Sequence, residues 1–274
     1  MILCGFIKYE DNKMENSDYS LSFCEEKIIP TIKSVVDRHL AISFRVEKKG
    51  HGNFVTSTDK EIEKELKIQL HELIPCAGFI AEESSKDSNL ELNWVIDPID
   101  GTTNFIYGLP YAVSVALTRQ EIGQIILGVV YSPKTNTIYY ACRGQGSYVV
   151  SNGITQRLHV GNFIDNEGIA IFGMPYNRDK TAKIFDIAQK VYKVSSDLKR
   201  IGPSSLDICM VAEGKAKLYF ELDLNIWDIC AGILILSEAG GVFRQDEDLF
   251  LFGSDKVFEM CKDVAELLSE QLVT

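Results

Sequence analysis

Trp94-Val95-Ile96-Asp97-Pro98-Ile99-Asp100-Gly101-Thr102-Thr103-Asn104-Phe105 carries the reading outward to the rest of the chain. Trp94 to Ile96 is an apolar run that reads as the end of a buried strand. Two carboxylates three residues apart follow, with Pro98 between them, and then a Gly-Thr-Thr able to open a helix. Pro98 fixes its own φ and restricts Asp97, so the chain is stiff where the two acids converge. Backbone N–H groups from Gly101 onward form an anion site if a helix starts there. Acids beside an anion site make sense with a divalent cation between them, and Mg²⁺ takes hard oxygen ligands of this kind. The same residues also read as a strand-end cap and a turn, and the stretch alone does not choose between the two.

The bulk composition narrows the classes. At 274 residues and 46% hydrophobic, the chain has ample material for a core, as one large domain or two small ones. Its net charge of −11 and lack of a Lys/Arg stripe disfavour nucleic acid as a partner. Seven scattered cysteines without a CxxC pair argue for free thiols in a reducing cytoplasm, against both disulfides and structural zinc. The four histidines are dispersed, and no HExxH occurs. Met1 to Ile7 is too short for a signal peptide, and Ala231 to Leu236 is too short to span a bilayer.

Along the chain, residues 1–18 read as a variable arm, and 19–274 as a single compact domain with subregions of about 19–150 and 151–274. Leu21, Cys24, Ile28, Ile32, Val35 and His39 recur at helical spacing and predict a helix kinked at Pro30. Lys48 to Asn53 reads as a glycine-bearing loop, and Phe54 to Thr56 as a short link. A helix from Thr58, with Glu61 completing a capping box, places Asp59 in its first turn, where complementing the helix dipole is the plain explanation. The strand Ala77 to Ala81 then delivers Glu82-Glu83 at its apolar end, where a desolvated acid needs a partner. Runs at 112–118, 125–131, 138–141 and 147–150, separated by turn residues, predict an antiparallel meander. The second half predicts strand 169–173, helix 180–192, strand 198–201, helix 204–214, strand 217–221, an apolar helix opening near Asn225 and stopping at Gly240-Gly241, a last hairpin and a helix from Asp255. Mixed α and β layers in one unit follow from that order.

Glu82, Asp97, Asp100 and Asp228 thus share one oddity, a carboxylate at the end of an apolar strand or the start of an apolar helix. Glu82-Glu83-Ser84, Asp97-Pro98-Ile99-Asp100-Gly101-Thr102-Thr103 and Trp227-Asp228-Ile229-Cys230-Ala231-Gly232 with Glu238-Ala239-Gly240-Gly241 resemble the inositol monophosphatase family, from about Leu21 onward. That resemblance implies an α+β fold, a layered αβαβα sandwich shared with fructose-1,6-bisphosphatase, and a Mg²⁺-dependent, lithium-sensitive phosphoric monoester hydrolase. It implies two or three Mg²⁺ held by Glu82, Asp97, the Ile99 carbonyl, Asp100 and Asp228, and a water oriented by Thr102 with Asp59 and Glu82. Gly101 and Thr102 amides would hold phosphate, Glu221 would bond substrate hydroxyls, and Lys48 and Thr103 are weaker candidates. The implied substrate is inositol monophosphate or a related sugar or polyol phosphate, and a cytoplasmic homodimer is the implied assembly.

Alternatives of the same superfamily are a fructose-1,6-bisphosphatase, a 3'(2'),5'-bisphosphate nucleotidase and a histidinol-phosphatase. Glu221 and Asp223 favour a hydroxyl-bearing leaving group and oppose a second phosphate, whereas Lys199, Arg200 and Arg178 would supply a pocket for one if they face the cleft. Ala81, Asn53 and Pro203 depart from the family pattern, which bears on the leaving-group pocket rather than on the metal site. A reading of another class is a regulatory protein with this fold that contacts RNA polymerase or RNA; the acidic balance and the intact acid set count against it.

Overall fold

The structure, a computed structural model, describes residues 19–42, 44–50, 53–84, 90–119, 123–164 and 166–260. The expected arm at 1–18 lies outside these residues. Helix α1 (Leu21–Phe23) runs through a π turn at Cys24–Ile28 into α2 (Ile29–Leu40). Pro30 has no N–H to return to the preceding turn, and a widened turn, with the Ile29 N–H reaching the Cys24 carbonyl, carries the helix past it. The expected kink is therefore a π turn just before the proline.

Strands β1 (Val46–Gly50) and β2 (Asn53–Thr56) pair as an antiparallel hairpin, where the sequence suggested a loop and a link. Helix α3 (Ser57–Leu73) is capped by Thr56 and Asp59, not by Thr58 and Glu61. Thr56 has the extended backbone a cap needs (φ −111°, ψ 164°), whereas Thr58 already lies inside the helix.

β3 (Ala77–Ala81), β4 (Leu92–Asp100), a short α4 (Thr102–Ile106), β5 (Ala112–Arg119), β6 (Gln124–Ser132), β7 (Thr137–Cys142), β8 (Ser147–Ser151) and β9 (Ile154–Arg157) complete the first half. The strands form one sheet in the order β3-β4-β5-β6-β7-β8-β9, parallel only between β3 and β4. β9 extends the meander beyond the runs legible in the sequence.

β10 (Ile169–Phe172), α5 (Thr181–Lys193), β11 (Asp197–Lys199), α6 (Ser204–Ala212), β12 (Leu218–Leu222), α7 (Ile226–Glu238), β13 (Val242–Asp246), β14 (Leu249–Gly253) and α8 (Asp255–Met260) follow. Their sheet has the order β11-β10-β12-β14-β13.

Three apolar cores fill the four interfaces between five layers, the middle one on both sides of α6 and α7. Ile32, Val36, Ile62 and Leu66 of α2 and α3 pack on one face of the large sheet, against Val113, Val115 and Tyr140. The other face, with Ala112, Ala116 and Ala141, meets α6 and α7, whose far side meets Tyr219, Phe250 and Phe252 of the small sheet. Ala170, Leu218 and Phe220 then pack against Ile184, Ile187 and Val191 of α5 and Phe258 of α8. The fold is thus a layered α+β sandwich in the order αβαβα. Helix α7 is buried almost all round because it lies between the two sheets. Its approach is close: a Cβ on Gly128 would lie 2.9 Å from the Ala231 carbonyl oxygen. Among the described residues no helix is long and apolar enough to cross a membrane, and Cys24, Cys76, Cys142, Cys209 and Cys230 are free thiols.

Candidate active site

The pairing of β4 with β5 slips by one residue: Asp97 faces Ser114, and the next partners are Asp100 and Ala112. Side chains three apart on a regular strand point to opposite faces, and one extra residue reverses that parity. Pro98, unable to donate to a ladder, sits in this bulge. Asp97 and Asp100 consequently line the same cleft, of about 500 Å³, and both belong to β4 itself rather than to a loop after it. Glu82, Ile99, Gly101, Thr102, Thr103, Glu221 and Asp228 line it too.

Each side chain is fixed by its own element. Glu82 follows β3, its N–H on the Ile96 carbonyl at 3.3 Å. Glu83 instead donates its N–H to Glu63 and is absent from the cleft lining. Gly101 takes the left-handed conformation (φ 86°, ψ 46°) that turns the chain into α4, a helix of only five residues. Asp228 is the third residue of α7 and accepts the Asn225 N–H at 2.7 Å, completing a capping box.

Asp59 is fully buried outside the cleft and serves two purposes. One oxygen accepts the Thr56 N–H and hydroxyl as a helix cap, and the other accepts the Thr102 hydroxyl at 3.1 Å. The Ile99 carbonyl lies 3.2 Å from the same hydroxyl. One hydroxyl proton serves one of these acceptors at a time, and either choice leaves Thr102 oxygen lone pairs able to accept a bond from the cleft side. Lys48 sits in β1 opposite Phe54, and its side chain lies outside what is described.

The electrostatics are those of crowded acids. Burial, then Glu82, Asp100, Asp228 and Asp59, hold the Asp97 carboxyl well above its ordinary range. Burial and then Asp100 do the same to Asp228, the Asn225 N–H offsetting part of it. Burial pushes Asp100 up to about 6 against hydrogen bonds from Ser205 and Ser204. Asp59 is raised by burial, which its hydrogen bonds oppose. Among the described residues, no lysine or arginine forms an ion pair with Asp97, Asp100 or Asp228. Nor do any three His, Cys, Asp or Glu side chains among them lie close enough, as placed, to ligate one ion.

The N-terminal turn of α6 belongs to the site and was not legible beforehand. Asp100 accepts the Ser204 N–H at 3.1 Å, the Ser205 N–H at 2.6 Å and the Ser205 hydroxyl at 2.5 Å. The Ser204 hydroxyl donates to Glu221 at 3.3 Å, as does the hydroxyl of Tyr219. Burial pushes Glu221 up to about 7. Gly173 makes room for it: a Cβ there would fall 1.7 Å from a Glu221 oxygen. Asn104 ties the α4 turn to the Ile201 carbonyl at 2.9 Å. The only sequence signals were Pro203-Ser204-Ser205 before a helix and a glycine at a strand end.

Two conditional readings resolve here. Arg178 and Arg200 line the cleft, whereas Lys199 is not among its lining residues and pairs with Asp197. Asp223 also lines it, but its carboxylate accepts from Lys180 at 2.5 Å, so the repulsion expected of it is largely offset.

A model of the inositol monophosphatase family matches residues 19–257. The chain belongs to this family. The "Fructose-1,6-bisphosphatase/inositol-1-monophosphatase" of Aquifex aeolicus is 35% identical over 201 residues, covering 72% of this chain and 74% of that one. The "Nus factor SuhB" of Pasteurella multocida is 37% identical over 200 residues, covering 71% and 72% respectively. Among solved structures, the extragenic suppressor protein suhB of Bartonella henselae superposes with a TM-score of 0.77 at 28% identity, covering 88% of this chain and 97% of the other. Family members named inositol-1-monophosphatase are phosphoric monoester hydrolases, and the layered sandwich is shared.

Proposed function

We propose that this family member is a Mg²⁺-dependent phosphatase that releases phosphate from a polyol or sugar phosphate by direct attack of water. The observation that carries the reading is the bulge in β4, which turns Asp97 and Asp100 into one cleft with Glu82 and Asp228. Asp97, Asp100 and Asp228, buried acids with no lysine or arginine ion pair among the described residues, are chemically suited to a hard divalent cation. Glu82, Asp97, the Ile99 carbonyl, Asp100 and Asp228 would hold the ions, the carboxylates moving inward from their present positions around the cleft. Bound there, Mg²⁺ supplies positive charge to phosphate oxygens and makes water more acidic.

The remaining work falls to the chain. Thr102, held by Asp59, accepts a hydrogen bond from the attacking water, and so sets its direction, with Glu82 assisting. The N–H groups of Gly101 and Thr102 meet phosphate oxygens; α4 is too short to add much dipole, so the left-handed Gly101 turn matters more. Glu221 accepts a hydroxyl of the leaving alcohol. Thr103 lines the cleft, and Lys48, paired in β1 with Phe54 of the lining, is a weaker candidate. Phosphate monoester hydrolysis needs enhancements up to ~10²¹-fold, and charge neutralisation with positioning is the means available where, among the described residues, no Cys or His nucleophile lines the cleft.

Lithium sensitivity and a homodimer belong to the same reading. The test is phosphate release with Mg²⁺ from inositol 1-phosphate, fructose 1,6-bisphosphate, 3'-phosphoadenosine 5'-phosphate and histidinol phosphate. At least one should turn over, and four inert esters would sink the phosphatase reading. The Nus-factor relative supports a second role, protein contact alongside catalysis; a pull-down with RNA polymerase that recovers nothing removes it.

A further inference from the structure

Helix α3 carries an acid where its pattern calls for an apolar residue. It sends Ile62, Leu66 and Leu70 into the core, and Glu63, directly after Ile62, is only 4% exposed. A carboxylate so enclosed persists when it is both paired and hydrogen-bonded. Lys67, one turn on, pairs with one Glu63 oxygen at 3.2 Å, and the Glu83 N–H donates to the other at 2.8 Å. Lys67 also donates to the Ser84 hydroxyl and lies over the ring of Phe79 in β3. The turn that follows Glu82 is therefore fastened to α3.

The bond to Glu83 acts on Glu82. A peptide group is planar, so holding the N–H of a residue holds the whole plane before it. The Glu82 N–H is held by the Ile96 carbonyl at 3.3 Å and the Glu83 N–H by Glu63, so both planes that flank the Glu82 Cα are tied down. The direction of its Cα–Cβ bond is then set, and the Glu82 carboxylate reaches the cleft with only its own side-chain torsions to choose. Asp59, one turn before Glu63, accepts the Thr102 hydroxyl at 3.1 Å. Asp59, Glu63 and Lys67 recur every four residues, about 6 Å of helix rise per step. One row of α3 thus holds both the Thr102 hydroxyl and the Glu82 turn.

We propose that Glu63 is a positioning residue for Glu82: through the Glu83 N–H it aims that carboxylate at the cation, and α3 fixes its spacing from Thr102. This rests on the metal reading above and extends it to a residue outside the cleft lining, one that touches neither ion nor ester. Partners that orient metal ligands in this way are worth about 10- to 100-fold in metal affinity.

The test is Mg²⁺ binding to EDTA-stripped protein, measured by titration calorimetry, in three variants that separate reach from charge. Glu63→Gln keeps an acceptor oxygen at the same reach and loses the charge. Glu63→Asp keeps the charge and falls one methylene short of the Glu83 N–H. Glu63→Met loses both and keeps the side-chain length. The Mg²⁺ dissociation constant should rise at least about tenfold in Glu63→Asp and Glu63→Met and stay near that of the unaltered protein in Glu63→Gln. At saturating Mg²⁺, kcat should fall in the same two variants with the ester KM little changed. Should Glu63→Met fail to fold, the comparison of Glu63→Asp with Glu63→Gln decides. Binding as tight as that of the unaltered protein in every variant overturns the positioning role alone. So does weak binding by Glu63→Gln beside tight binding by Glu63→Asp, the pattern of a charge acting through space. No Mg²⁺ binding by the unaltered protein overturns the metal reading and the positioning role with it.

Discussion

Protein stripped of divalent ions with EDTA should lose stability as the pH rises, and Mg²⁺ should cancel the part of the loss that comes from the acids that would hold it. Asp100 is pushed from 3.8 up to about 6 and Glu221 from 4.5 up to about 7, in both cases chiefly by burial. A carboxyl whose folded pKa lies above its unfolded value favours the folded state while protonated. Its contribution is complete below the unfolded pKa and is lost as the pH climbs through the folded one. The window therefore runs from about pH 4 to about pH 7.5. Each of the two shifts corresponds to roughly 3 kcal/mol. Asp97, Asp228 and Asp59 move in the same direction. Together that is on the order of 10 °C in melting temperature for a chain of this size. The assay is thermal unfolding at pH 4.0 and pH 8.0, each with EDTA and with excess Mg²⁺. The EDTA melting temperature should fall between the two, and the shift on adding Mg²⁺ should be small at pH 4.0 and large at pH 8.0. A metal-free melting temperature that is flat or rises with pH, or an equal Mg²⁺ shift at both values, would refute the picture of uncompensated buried acids.

Thr102→Val removes the hydroxyl that bridges the cleft and Asp59 while keeping the shape. It should lower kcat at least about 100-fold, with Mg²⁺-induced thermal stabilisation retained; an unchanged kcat would discard the water-directing role. Gly173→Ala puts a methyl where a Glu221 oxygen lies. KM for a polyol phosphate should rise with kcat much less affected, as measured by steady-state phosphate release, and equal effects on both would show that Glu221 does not bind the leaving alcohol.

What the sequence revealed followed from local rules. The meander alternates at period two, so its faces were legible from Ala112, Val113, Val115 and Ala116 onward. Helix α7 was legible because an apolar stretch bounded by Asn225 and Gly240-Gly241 has both signals of a helix. The sequence does not choose between a capping box at Thr56 and one at Thr58, because both offer the same spacing and only backbone conformation separates them. The acids of the site were legible as carboxylates at apolar element ends. The reason Asp97 and Asp100 share a side was not, since a bulge appears only when β4 meets β5. Long-range partners stayed hidden for the same reason: Ser205 is 105 residues from Asp100, and Gly173 creates space without making a bond.

Phosphate release by Asp97→Asn beside the unaltered protein, over a Mg²⁺ titration, tests the central claim most directly. Asp97 is fully enclosed among the acids of the cleft, and the amide keeps its size while removing the charge that an ion would meet. The account predicts Mg²⁺-dependent release by the unaltered protein and its loss in the variant, which should remain folded and melt cooperatively. Turnover close to that of the unaltered protein would contradict the metal assignment and the mechanism built on it.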